Sequence, residues 1–265
     1  MARQRGVIRL KGKIGDLSFY ENDGKSLARL KGGVDKNRIN SDPAFKRTRE
    51  NMKEFGGSAK VGKSLRLGLV SVIKAFGDRK LVGRVVKIMK AINARGAGDR
   101  GQRSFEIVTN KDLLVGFELN ETDVLGSAFN APYTITPNAD RNEVSLDIPD
   151  FDADNFVTAP EGATHFRIVS AISVLSDFVF NPTTSAYEAT DPTVNEEGIV
   201  VKSSEISISG LVGSATTLLA TLPGAPTIPP TSGLLACVGI EFLQELNGSF
   251  YLLASGNAMR IVDVF

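Results

Sequence analysis

Asp42-Pro-Ala-Phe-Lys-Arg-Thr-Arg-Glu-Asn-Met-Lys-Glu-Phe-Gly-Gly57 opens the stretch that decides the fold, and the stretch runs on to Asn93 as three helices. Asp42 is an N-cap, and Pro43 suits the first helical position, where no N–H is needed. Phe45, Met52 and Phe55 recur at helical spacing, and Gly56-Gly57 reads as the stop. Ser58 then caps a second helix carrying Val61, Leu65, Leu69, Val72 and Phe76 on one face. Gly77-Asp78 ends that helix and starts a third. At about 100° per residue, Leu81, Val82, Val85, Ile88, Met89 and Ile92 gather on one side of it. Arg79, Lys80, Arg84, Lys87 and Lys90 gather on the other. No carboxylate lies between Glu54 and Asp78.

Before this stretch, residues 1–14 form a basic arm: Arg3, Arg5, Arg9, Lys11 and Lys13 around Val7, Ile8 and Leu10. Leu17–Tyr20 and Ser26–Leu30 then flank Glu21-Asn-Asp-Gly24. That pattern predicts a β-hairpin, because Asp-Gly supplies the positive φ of a tight turn. Lys31-Gly-Gly33 ends it.

After the glycine-rich Arg95–Arg103 the period changes from helical to strand-like. Strands are expected at 105–109, 113–119, 133–136, 143–148, 165–170, 198–202, 206–208 and 216–222. The clearest hairpin joins Cys237–Leu246 to Ser249–Leu253 across Asn247-Gly248. Turn signals without intervening helices favour antiparallel sheets. The expectation is therefore an α+β protein. Residues 1–103 are the basic arm, β-hairpin and three helices, and residues 104–265 an acidic antiparallel β-sandwich.

The near-neutral total hides a split. Residues 1–110 hold 26 Lys and Arg against 10 Asp and Glu, a net of +16, and residues 111–265 hold 5 against 20, a net of −15. Such asymmetry predicts either an acidic partner or a chain that is its own partner. With one cysteine, Cys237, no intrachain disulfide forms; with one histidine, His165, a Cys/His zinc site is excluded. Both sit among apolar neighbours in strand patterns, which suits core packing. No apolar run is long enough to span a bilayer, and no apolar segment follows the basic N-terminus as in a secretory signal. The default location is the cytoplasm or an assembled particle.

Three motifs invite chemistry. Gly57-Ser-Ala-Lys-Val-Gly-Lys63-Ser64 spells a phosphate-binding loop, but a helix, not a buried strand, precedes it. Gly96-Ala-Gly-Asp-Arg-Gly101 matches a dinucleotide fingerprint in reversed context, helix before and strand after. Asp150, Asp152, Asp154 and Glu161 imitate the spacing of a calcium loop, although Asn155 replaces the turn glycine and Pro160 blocks an exiting helix. Calcium is the one cofactor the spacing admits. No catalytic residues and no small-molecule substrate are assigned, since one histidine and scattered acids give no constellation.

Arg5-Gly-Val-Ile-Arg-Leu-Lys-Gly12, Gly15-Asp-Leu-Ser-Phe-Tyr20, Lys31-Gly-Gly-Val34 and Asp42-Pro-Ala-Phe-Lys-Arg-Thr-Arg-Glu-Asn51 together resemble a group of uncharacterised proteins from Bacteroidota genomes. The likeness covers about the first hundred residues. It implies that the arm, hairpin and helices are a recurring module, and it carries no function.

The functional expectation is a non-enzymatic, self-associating structural protein: a filament, tube or shell subunit and a homo-oligomer. Its charge-complementary halves would meet head to tail. Strand addition by the apolar terminal segments, Val7–Leu10 at one end and Ile261, Val262, Val264 and Phe265 at the other, would reinforce the contact. The alternative is nucleic-acid binding without sequence specificity. The surface for either partner is Arg5, Arg9, Lys11, Lys13, Lys46, Arg47, Arg49, Lys60, Lys63, Arg84 and Lys87.

Overall fold

A computed structural model describes residues 2–6, 8–30 and 32–265. Met1, Val7 and Lys31 lie outside the described residues, and with them Val7 of the expected arm and Lys31 of the expected hairpin end. The fold is α+β with antiparallel sheets. The chain divides into two compact units, Met1–Arg49 and Glu50–Phe265.

The first unit is a four-stranded antiparallel sheet, β1 (Ala2–Arg3), β2 (Gly12–Ile14), β3 (Leu17–Asn22) and β4 (Lys25–Leu30), in the order β1-β4-β3-β2. The expected hairpin is β3–β4. Asn22 pairs with Lys25 across Asp23 and Gly24, whose φ values of 47° and 68° are those a type I′ turn needs. The Gln4 side chain donates to Leu10 O and accepts from Leu10 N, folding the arm back on itself. α1 (Lys36–Ser41) follows, capped by Asp35. Asp42 caps as expected, accepting from Ala44 N, but the turn it starts is a 3₁₀ turn, Pro43–Phe45.

Three layers build the second unit. Helices α2 (Lys46–Gly68), α3 (Val70–Phe76) and α4 (Leu81–Arg95) come first. The short α5 (Leu125–Ala128), β5 (Thr134–Pro137), β6 (Glu143–Ile148), α6 (Ala153–Phe156), β7 (His165–Ser176), β8 (Phe178–Asn181) and β9 (Ala186–Ala189) follow. β10 (Gly198–Lys202), β11 (Ile206–Ser207), β12 (Thr216–Thr221), β13 (Ser232–Leu246), β14 (Ser249–Leu252) and β15 (Ala258–Val264) complete the chain. A six-stranded sheet centred on β7 and β13 forms the middle, and β12-β6-β5 forms a second sheet. Alternation along the central strands explains the layering. Val169, Ala171, Leu175, Leu235, Cys237, Met259 and Ile261 pack with Val61, Leu65, Val85, Met89 and Ile92 of the helices. Ile172, Val174, Leu234 and Ala236 point the other way and pack with Val144, Ala220 and Leu222 of the second sheet.

Several expectations change here. The helices are not a module apart from the strands: they close one face of the central sheet, so the compact division falls at Arg49/Glu50 rather than at Arg103/Ser104. Gly56-Gly57 does not stop a helix, because α2 runs through it. A Cβ on Gly57 would stand 2.5 Å from the Tyr187 ring, so the glycine serves a close approach from β9. Met52 and Phe55, which recur at helical spacing, are exposed, as is Val82. Segments 105–109 and 113–119 are not strands. Residues 116–119 nonetheless run beside β15 and exchange backbone hydrogen bonds with Met259 and Ile261.

Candidate functional site

The eleven basic positions fall in two units: seven from Arg5 to Arg49, and Lys60, Lys63, Arg84 and Lys87. Their surroundings differ by function. Arg84 is a structural tether: it donates to Glu118 O, Leu119 O and Asp78 Oδ2 and lies 4.9 Å from the Phe117 ring centroid. Arg49 donates to Ile39 O and Asp42 O and so fixes the turn before α2. Lys60 donates to Tyr187 O. These three bond to backbone carbonyls of their own chain, and Lys60 is exposed while doing so. Arg5, Arg9, Lys13, Lys46, Arg47, Lys63 and Lys87 are exposed.

In the first unit the basic residues converge. Arg3, Arg5, Arg9 and Lys25 line one recess of about 400 Å³, floored by Gln4 and the buried Ser26. Lys13 and Arg29 line a second, of about 260 Å³, with Ser18 and Leu30. Lys11 is spent on Glu21 at 2.6 Å, and that bond holds the Glu21 carboxyl below its ordinary range. Arg3, Lys25 and Arg29 were absent from the expected surface. The β3–β4 register carries the missed signal, since the Asp23-Gly24 turn sets which strand positions share a face.

This unit has a second property. Among its described residues no apolar side chain is buried; Ser26 alone is. Ile8 (82%), Leu10, Ile14, Leu17, Leu30 (72%) and Val34 are all exposed. A sheet is ordinarily stabilised by covering one apolar face.

The remaining candidates resolve as structure. Residues 57–64 are helical, so their backbone N–H groups lie within α2 rather than open to phosphate, and Ser64 Oγ donates to Glu196 at 2.6 Å. The acidic loop does not converge on a point. Asp150 accepts from Gly213 N, Asp154 from Gly210 N, and Asp152 caps α6, while Glu161 stands exposed in a turn. Three of the four carboxylates thus accept backbone N–H bonds. Among the described residues no group of three or more His, Cys, Asp or Glu is placed to hold a metal ion. Cys237 pairs with Ala171 and His165 with Leu243, six positions apart along β13. His165 is not a core residue: its ring packs edge-on against Phe250 and Nδ1 lies 3.8 Å from Glu245.

Strand addition by the last residues is also overturned. Ile261 and Val264 are buried, and Val262 packs inward with Phe265. β15 pairs with β13 on one edge and with residues 116–119 on the other, and Phe265 exchanges backbone bonds with Leu234. β13 occupies one edge, and residues 116–119 occupy the other at Met259–Ile261.

One buried charge cluster escaped the sequence reading. Glu54 is 1% exposed and accepts from Arg103 Nε at 2.8 Å, Arg103 Nη2 at 2.9 Å and Gly101 N at 2.8 Å, with Lys90 also paired. It anchors the glycine-rich 96–103 segment to α2, a structural task.

No helix among the described residues is long and apolar enough to cross a membrane. No family model matches the chain, and no curated protein matches it either.

Proposed function

We propose that the chain is a non-enzymatic structural protein that self-associates head to tail as the repeating subunit of a filament, tube or shell. The observation that carries this reading is the first unit, a basic sheet in which no apolar side chain is buried among the described residues. It holds 13 Lys and Arg against 5 Asp and Glu, a net of +8, while residues 50–265 hold 18 against 25, a net of −7. Unlike charges steer copies together, and covering Ile8, Ile14, Leu17 and Leu30 supplies the apolar gain. With β15 held between β13 and residues 116–119, strand addition passes to β2, the longer of the two outer strands of the first unit. The test is sedimentation velocity with Leu30→Asp and Ile14→Asp. Both variants should lose association while melting as wild type does. Association unchanged in both would place the contact elsewhere.

The recess lined by Arg3, Arg5, Arg9 and Lys25 favours a second reading, a nucleic-acid backbone held through phosphates. A duplex titration across salt decides it: affinity should fall linearly on a log–log plot, and Arg5→Ala with Arg9→Ala should flatten the slope by roughly two. Absence of binding at low salt would remove it.

A further inference from the structure

One end of the central sheet of the second unit is a hairpin that projects past its neighbouring strand. The pairing of β13 with β7 ends at Leu243 opposite His165, yet β13 continues to Leu246 and returns as β14. Residues 245–252 are all exposed, and among the described residues β14 pairs with β13 alone. Asn247 and Gly248, at φ 52° and 77°, close the tip as a tight turn, so the projection is a defined hairpin and not a loose loop. Leu246, Tyr251 and Leu252 stand on it in water, and Phe250 is exposed beside the His165 ring. An exposed, apolar edge strand is a template for pairing, which folds ordinarily blunt with charge or proline. Here no Lys or Arg occurs between Lys202 and Arg260, and the hairpin's one charge is Glu245.

We infer that the Gln244–Leu252 hairpin is the docking strand for the N-terminal sheet of a second copy, joined edge to edge through β14 and β2. The inference rests on the self-association reading and names its contact. Three observations select the occupant. β2 is the longer of the two outer strands of its sheet, three residues against two in β1 and four in β14. Ile14 and Leu17 beside it are exposed, matching the apolar hairpin. The first unit is basic where the hairpin has no cation. Main-chain hydrogen bonds between the two edges supply affinity, and the flanking side chains supply register.

The native thiol does not interfere with a cross-linking test: Cys237 is buried, which pushes it up to about 12. Full-length Lys13→Cys and Ser249→Cys chains, distinguishable by mass, are mixed at low salt with a short bis-maleimide. Mixed dimers should dominate over dimers from either variant alone by at least tenfold, and Leu252→Lys in the Ser249→Cys chain should abolish them. If mixed dimers are absent while light scattering still shows association, the hairpin contact is wrong and self-association stands. Equal cross-linking in each variant alone would mean like-to-like pairing, which also overturns the contact. If the protein stays monomeric throughout, this inference and the reading beneath it both fall.

Discussion

Arg103 meets Glu54 side-on in the interior, Nε 2.8 Å from Oε1 and Nη2 2.9 Å from Oε2, a two-point bond between residues 49 positions apart. Glu54 is also bonded by Gly101 N and Lys90, so every lone-pair direction of a buried carboxylate is used. Removing Glu54 leaves two half-buried cations, Arg103 and Lys90, without their counter-charge. Glu54→Ala is therefore expected to cost about 3–5 kcal/mol of stability, read by denaturant unfolding. A change under 1 kcal/mol would mean water reaches the cluster.

The same carboxyl gives an acid limit. Burial pushes Glu54 up, but Arg103, Lys90 and the Gly101 N–H outweigh it and hold it at about 2, against an ordinary 4.5. A lowered folded value stabilises fully above 4.5 and loses that contribution as pH falls toward 2. Melting temperature should drop over that window, and the drop should shrink in Glu54→Gln. Equal slopes in the two proteins would assign the acid sensitivity to other groups.

Asp177 behaves in the opposite sense. Burial raises it to about 6 from an ordinary 3.8; the Ile107 N–H bond at 2.6 Å lowers it, and nearby Glu106 and Asp191 raise it. Its favourable contribution is complete below 3.8 and is lost as pH rises through 6. Asp177→Asn keeps an oxygen for Ile107, so it should melt higher than wild type at pH 7 and equal to it near pH 3.5. A variant that melts lower at pH 7 would contradict this.

Adjacent glycines in α2 make a matched pair. A Cβ on Gly56 meets nothing within 4 Å, whereas one on Gly57 meets the Tyr187 ring at 2.5 Å and the Phe105 ring at 3.1 Å. Gly56→Ala should stabilise by about 0.5–1 kcal/mol through helix propensity. Gly57→Ala should destabilise by about 1–3 kcal/mol through overpacking. Equal effects on melting would refute the close approach.

That pair also shows where sequence reading stops. The turns at Asp23-Gly24 and Asn247-Gly248 were legible because their backbone needs positive φ, a local demand. Gly57 was not, because Tyr187 sits 130 positions away. β6 was read to the residue, since one of its faces is buried and the alternation is clean. β7 and β13 were read short, since burial on both faces erases alternation. The charge split follows surfaces, whereas domain division follows cores, so the boundary moved to Arg49/Glu50. Within the candidate surface, side-chain type located the basic arm, but only contacts separate Arg84 and Arg49, bound to their own backbone, from exposed Arg5, Arg9 and Lys13. The pairing of the terminal strand was hidden for a similar reason: residues 116–119 bond its edge at Met259 and Ile261, and edge occupancy is a tertiary property.

The central claim is that copies of this chain bind one another through the basic first unit. Static light scattering of the full chain over a concentration series, at low and high salt, tests it most directly. The account predicts a weight-average mass above the 28.4 kDa of one chain, rising with concentration and falling toward it as salt screens the opposed charges. A mass fixed at 28.4 kDa at high concentration and low salt would contradict it.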